Sequence, residues 1–193
     1  MSPRAGLDRA AVVEAAAKMT DDAGEVVTLA GLASRLGVRA PSLYNHVDGQ
    51  AGLRRELALF GVRDLLSRIV RASVGKVSSD ALVAVSQEYR EFALDHPGIY
   101  PLTQAAPDPD DAELAASAAE IVEVLGTLME SFGLEGDAAV HAIRGLRSLL
   151  HGFVMLETTG GFGIPLDIDE SFERAVRTFI LGLHQAAAAT EIS

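Results

Sequence analysis

Thr28-Leu29-Ala30-Gly31-Leu32-Ala33-Ser34-Arg35-Leu36-Gly37-Val38-Arg39-Ala40-Pro41-Ser42-Leu43-Tyr44-Asn45-His46 decides how the 193-residue chain folds. It reads as two short helices joined by a tight turn. Thr28 is suited to an N-cap, because its hydroxyl can accept a bond from a first-turn N–H. Leu29, Leu32, Ala33 and Leu36 recur at three- and four-residue spacing and give one apolar face. Gly37 follows the last periodic residue, where a helix end favours left-handed backbone, and Val38 plugs the turn. A second helix starts near Arg39–Pro41, since proline is tolerated in a first turn, where its missing N–H has no intrahelical partner. Leu43 and Val47 then face inward, and Arg39, Ser42, Tyr44, Asn45 and His46 are left outside. Two helices, a glycine turn and a polar outer face on the second helix make a helix-turn-helix. Generic helix pairs share such spacing. The position behind one amphipathic helix, the donors on the second helix and the distribution of charge all raise the motif above that background.

The net charge is −11, the wrong sign for binding an anionic polymer. It is unevenly spread: residues 1–76 hold 11 Lys+Arg and 8 Asp+Glu, a net of +3, whereas residues 77–193 hold 5 and 19, a net of −14. The expectation is a small module facing an anionic partner and a larger one that does not. Phosphate contacts draw on local cations, so local sign outweighs the total. Hydrophobic residues make up 49% of the chain, enough for a real core, and no run of alternating β-branched residues is long enough to build a sheet. There is no cysteine, which excludes disulfides and Cys-based zinc sites. The first residues lack a signal-type apolar segment, and no apolar run reaches about 18 residues, so a cytoplasmic protein without a membrane span is expected.

Nine helical elements are expected. Asp8 caps a first helix from about Arg9 to Ala23, with Val12, Ala16, Met19 and Ala23 as its apolar stripe. The motif supplies helices two and three. A long fourth helix runs from about Gln50 to Val74, burying Leu53, Leu57, Phe60, Leu65 and Ile69. Ser78–Ser79 cap a fifth helix that Pro97-Gly98 stops. A short sixth element carries Ile99, Tyr100 and Leu102. Pro107-Asp108-Pro109-Asp110-Asp111 is a loop and an acidic helix start, preferred here to a metal site because no further ligand set accompanies it. Helix seven spans about Ala112–Phe132. Helix eight spans about Gly136–Thr158, carrying Ile143, Leu146, Leu150, Phe153 and Leu156, apolar positions broad enough for both a core and a partner. Asp169 opens a ninth from about Glu170 to Ala189. The chain is therefore all-α: a three-helix N-terminal domain over residues 1–50, and a second helical domain over 51–193 entered by a connecting helix of about 50–74.

With these residues in hand, the chain resembles the TetR family of transcriptional regulators. The likeness rests on Ala10-Ala11-Val12-Val13-Glu14-Ala15-Ala16, on Thr28 to Val38, and on Ser42-Leu43-Tyr44-Asn45-His46-Val47. Further along, His96-Pro97-Gly98-Ile99-Tyr100 and Leu150-His151-Gly152-Phe153-Val154-Met155-Leu156-Glu157 are similar to the family's WHG-type C-terminal domain. Two positions depart from the pattern. Gln50 stands where the family often has a lysine that reaches a phosphate, and Arg147 stands in place of the Trp for which WHG is partly named.

The resemblance implies a ligand-responsive, DNA-binding regulator, by default a repressor. Helix three would enter the major groove of a palindromic operator, and helices eight and nine would form a homodimer interface. DNA contacts are then expected from Thr28, Arg39, Ala40, Ser42, Tyr44, Asn45 and His46. Arg39 suits a guanine or phosphate, Tyr44 and His46 suit phosphates, and Arg4 could reach DNA from the N-terminal arm. A small apolar or amphipathic effector would sit among Tyr89, Phe92, Tyr100, Leu125, Met129, Phe132, His151, Met155 and Phe162, although any one of these also suits an ordinary core. No cofactor and no metal are expected. An enzyme is disfavoured: His46, His96, His141, His151 and His184 show no local two-ligand spacing, and phosphate-loop and nucleophile-elbow patterns are missing. The alternative is a helical small-molecule carrier or interaction bundle without operator recognition, for which Gln50 is the only support.

Overall fold

The computed structural model describes residues 7–190, all of them helix, turn or loop. Its elements are α1 (Arg9–Ala23), α2 (Leu29–Leu36), α3 (Ala40–Leu43), α4 (Gly49–Ser73), α5 (Ser78–Asp95), a 3-10 turn (Tyr100–Thr103), α6 (Ala112–Glu130), α7 (Gly136–Thr158) and α8 (Ile168–Thr190). The expected sixth element is the 3-10 turn, so the expected helices seven, eight and nine are α6, α7 and α8. No helix among the described residues is long and apolar enough to cross a membrane.

Local chemistry sets the first boundaries. Asp8 Oδ1 accepts from the Ala11 N–H at 2.8 Å and Thr28 Oγ1 accepts from the Gly31 N–H at 3.2 Å, caps worth about 1 kcal/mol each. At the end of α2 the Gly37 N–H reaches the Ser34 carbonyl at 3.2 Å and the Val38 N–H reaches Ala33 at 3.0 Å. This bond pair satisfies last-turn carbonyls and needs the left-handed backbone that Gly37 adopts at φ 67°.

Two compact units form, Met1–Asp64 with Asp95–Ser117, and Leu65–Leu94 with Ala118–Ser193. In the first, α1 packs on α2 and α2 on α3; Val12, Ala16, Leu32, Leu43, Leu53, Leu57 and Ile99 are buried, the Val, Leu and Ile side chains each contributing about 1.5–3 kcal/mol if exposed on unfolding. The His96-Pro97-Gly98-Ile99 turn grips the end of α1. Asp21 Oδ1 accepts the Gly98 and Ile99 N–H groups at 3.1 and 3.0 Å. Asp21 Oδ2 lies 2.7 Å from His96 Nδ1, and Asp64 Oδ2 lies 3.5 Å from His96 Nε2. A Cβ on Gly98 would come within 2.1 Å of the Thr20 carbonyl oxygen, so only glycine permits this approach. In the second unit α7 packs on α8, and Leu82, Val85, Phe92, Met129, Leu146, Leu150, Val154, Phe172, Val176 and Ile180 are buried.

Several expectations need correction. Ala23 is exposed, and the buried stripe of α1 ends instead at Thr20. On α7 Leu156 is exposed, and Val154, unmarked in the sequence, is buried. The Ser78 hydroxyl donates to the Ser131 carbonyl at 3.1 Å and Ser79 Oγ lies 3.3 Å from His184 Nε2, so these bonds run to the turn after α6 and to α8 rather than to the first turn of α5. Asp167, not Asp169, caps α8, accepting from the Glu170 N–H at 2.8 Å. The loop reading of the aspartates holds: Asp108 Oδ1 accepts from the Asp110 N–H, and Asp111 Oδ1 caps α6 through the Leu114 N–H at 3.1 Å.

Candidate nucleic-acid interface

The second helix of the motif is short. Its α-helical part covers only Ala40–Leu43. Pro41 contributes no N–H, and the Ser42 N–H closes onto the Arg39 carbonyl at 2.9 Å. Beyond it the chain tightens: the His46 and Val47 N–H groups share the Leu43 carbonyl at 2.9 and 3.0 Å. Gly49, at φ 67°, then turns the chain into α4. Leu43 and Val47 are buried and anchor this segment from below.

Six of the seven expected DNA contacts lie on or beside α3, and Thr28 sits at the N-cap of α2. Arg39, Tyr44, Asn45 and Thr28 are exposed, Tyr44 to 60%; Ala40, Ser42 and His46 are half-buried. Arg39 is the N-cap residue of α3, its side chain forms no capping bond, and it joins no ion pair among the described residues. This surface presents a guanidinium fork, an amide, a phenol and hydroxyls, groups suited to phosphate oxygens and base edges. Arg4 lies outside the described residues.

Charge is organised differently from the expectation. The unit that holds the motif, residues 1–64 and 95–117, has 8 Lys+Arg and 13 Asp+Glu, a net of −5. The acids of 95–117 fold back into it. They meet α4: Arg55 Nε and Nη2 each lie 2.6 Å from a carboxylate oxygen of Asp111, and Arg55 Nη2 lies 2.9 Å from Glu113. Arg63 reaches Glu113 at 2.9 Å. The buried Glu56 accepts from Arg55 at 2.7 Å and is paired with Arg9. Hydrogen bonds to Arg55 hold the Asp111 and Glu113 carboxyls below their usual range. Those to Asp111 and then Glu113 push the Arg55 guanidinium further up, as Glu56 does for Arg9. Arg55 with Asp108, Asp110, Asp111, Ala112 and Glu113 lines an open surface recess, and Arg55, Asp111 and Glu113 in its wall are ion-paired. Sequence reasoning missed Glu56 as the hub between Arg9 and Arg55; its one signal is an acid next to Leu57 on a helix face otherwise read as apolar.

The expected effector residues divide. Tyr100 belongs to the first unit and the other eight to the second. Tyr89, Phe92, Tyr100, Met129 and Phe132 are buried, Leu125 and His151 half-buried, and Met155 and Phe162 exposed. Phe162 packs its ring 4.8 Å from that of Phe153, which in turn sits 5.0 Å from Phe172. Arg90 stacks over Phe172 at 5.0 Å and Phe153 at 5.8 Å, and pairs with Glu157 at 2.5 and 2.7 Å and with Asp169 at 2.7 Å. Its guanidinium is pushed up chiefly by Glu157. Arg90 is not legible from sequence as part of an effector site, since Phe153, Glu157, Asp169 and Phe172 all lie 63 or more residues away from it.

A family model described as the tetracyclin repressor-like C-terminal domain matches residues 82–179. The chain is 36% identical over 185 residues to YobS of Bacillus subtilis, described as an uncharacterized HTH-type transcriptional regulator, covering 95% of this chain and 96% of that one. It is 34% identical over 183 residues to Rv0681 of Mycobacterium tuberculosis, described in the same words, covering 94% and 84%. Among solved structures, a variant of TetR from Acinetobacter baumannii AYE in complex with minocycline superposes with a TM-score of 0.72 at 20% identity, covering 94% of this chain and 98% of that one.

Proposed function

Because the chain belongs to the TetR family of helix-turn-helix transcriptional regulators, we propose that it binds a palindromic operator as a homodimer, represses transcription, and is released by a small apolar or amphipathic effector. The observation that carries the reading is the α3 segment: Leu43 and Val47 are buried beneath it while Arg39, Tyr44 and Asn45 stand exposed on it. In this reading residues 1–50 present the reading surface, with Thr28, Arg39, Ala40, Ser42, Tyr44, Asn45 and His46 in contact with DNA, and residues 51–193 serve effector binding and dimerisation. The protein acts on the chromosome in the cytoplasm and is not a catalyst.

The dimer is proposed through α7 and α8, where Val140, Met155, Leu156 and Leu181 are exposed apolar residues. A two-fold pair would set its reading segments about 34–36 Å apart, or a multiple of that, to match half-sites on one face of DNA. The effector is proposed to contact some of Tyr89, Phe92, Tyr100, Leu125, Met129, Phe132, His151, Met155 and Phe162. The minocycline complex of the Acinetobacter TetR supports a small-molecule effector as a class. Such a ligand shifts the protein off DNA only by binding the released state better.

The test is binding to DNA flanking the protein's own gene at two salt concentrations, with Arg39→Ala and Tyr44→Ala alongside. Tight, competitor-resistant binding that weakens with salt and falls in both variants is expected. Weak binding shared by wild type and variants, together with no palindrome enriched from random DNA, would overturn the reading.

A further inference from the structure

Gln50, the second residue of α4, uses both halves of its carboxamide on the backbone around Thr28. Its Nε2 donates to the Val27 carbonyl at 2.8 Å, and its Oε1 accepts from the Leu29 N–H at 3.2 Å. The Thr28 hydroxyl meanwhile takes the Gly31 N–H. The amide thus straddles the N-cap of α2 as a peptide group of a neighbouring strand would, bonding the residue on each side of Thr28. Only a side chain with both a donor and an acceptor at this length can do so: lysine has donors alone and an ionised glutamate acceptors alone. These bonds close a loop from Val27 to Gln50 that contains α2, the Gly37 turn and α3. They pin the start of the motif to the point where the chain leaves it through the Gly49 turn.

We propose that Gln50 is a positioning residue for operator recognition: it fixes the α2 N-terminus against the start of α4 and gives DNA no charge of its own. The proposal rests on the operator-binding reading and deepens it. The residue that departs from the family's phosphate-reaching lysine is then no missing contact but a clamp that holds the reading segment in register.

The experiment pairs amide hydrogen exchange of the DNA-free protein with operator binding across a salt series, for wild type, Gln50→Met and Gln50→Lys. Met keeps the stem and loses both bonds. In Gln50→Met, faster exchange at Leu29 is expected. Operator affinity should fall about three- to tenfold, with the slope of log affinity against log salt unchanged. In Gln50→Lys, Leu29 exchange should be as fast as in Gln50→Met, whatever the added cation does to the salt slope. Unchanged Leu29 exchange in Gln50→Met overturns the clamp. Unchanged affinity overturns its role in binding. Reduced affinity in Gln50→Met without faster Leu29 exchange identifies a direct, uncharged contact with DNA instead. A wild type without operator selectivity but with a protected Leu29 amide removes the functional reading and with it the positioning role, leaving the bonds purely architectural.

Discussion

Arg55 and Arg63 of α4 and the arginine ahead of α3 belong to the same compact unit and live in opposite circumstances. Arg55 is held by Asp111, Glu113 and Glu56, and Arg63 by Glu113. Arg39 is exposed and outside every ion pair among the described residues. The first group is spent on joining α4 to the start of α6 and to α1; the second is available to a partner. A unit with a net charge of −5 can therefore still present a guanidinium outside ion pairs, because Glu56, Asp111 and Glu113 are taken up by the supporting arginines. The two regions should fail differently: damage to the support should appear in stability, damage to the reading surface in affinity alone.

The hardest test of that separation is Gly98→Ala. The added Cβ would meet the Thr20 carbonyl oxygen at 2.1 Å, and the backbone of both segments would have to part. A loss of about 3 kcal/mol or more is expected, read as a large drop in the thermal midpoint. A variant that unfolds like wild type would show that the turn does not need its seat on α1. On the other side, Arg39→Ala should cost about tenfold in operator affinity and leave the unfolding midpoint within the scatter of surface substitutions. A marked loss of stability would place Arg39 with the support instead.

Glu56→Gln sharpens the comparison from within. It removes the charge that Arg9 and Arg55 share, yet Arg55 keeps Asp111 and Glu113, and Arg9 is largely exposed. Urea unfolding should show a loss of about 1–2 kcal/mol, with salt dependence of DNA binding unaltered. The smallest effect concerns acid. Asp111 and Glu113 titrate below their usual range in the folded chain, so the stability they add is fully present above the ordinary carboxylate pKa near 4. It is lost as pH falls through their depressed folded values. Asp111→Asn keeps a capping side chain for α6 but not the ion pair, so the gap between its urea midpoint and that of wild type should be open at pH 7 and narrow in acid. A gap independent of pH would mean the ion pair contributes nothing.

What the sequence reveals and what it hides follow from the range of the interactions. Asp8, Thr28 and Gly37 declare their helix ends because cap, donor and turn lie within a few residues. The brevity of α3 is less visible, since Pro41 suits a helix start and nothing before Gly49 marks the end. Ser78 and Ser79 look like a cap and are not seen to act as one, because their partners Ser131 and His184 lie more than 50 residues away. The same distance hides the Arg55–Asp111 and Arg90–Glu157 pairs. On the candidate site, the motif announces which side chains gather around α3, while Gln50 reads as a deficit until its two backbone bonds are seen.

Asp21 gives the fold a practical seam. Its carboxylate is filled by the backbone of residues 98 and 99, so the reading head carries a plug whose socket is encoded some 75 positions downstream. A graft that transplants the first 64 residues onto another regulator would bring the plug without the socket. To move the specificity of this protein into a new chassis, a designer should carry residues 95–117 as well, or build the His96-Pro97-Gly98-Ile99 turn into the recipient.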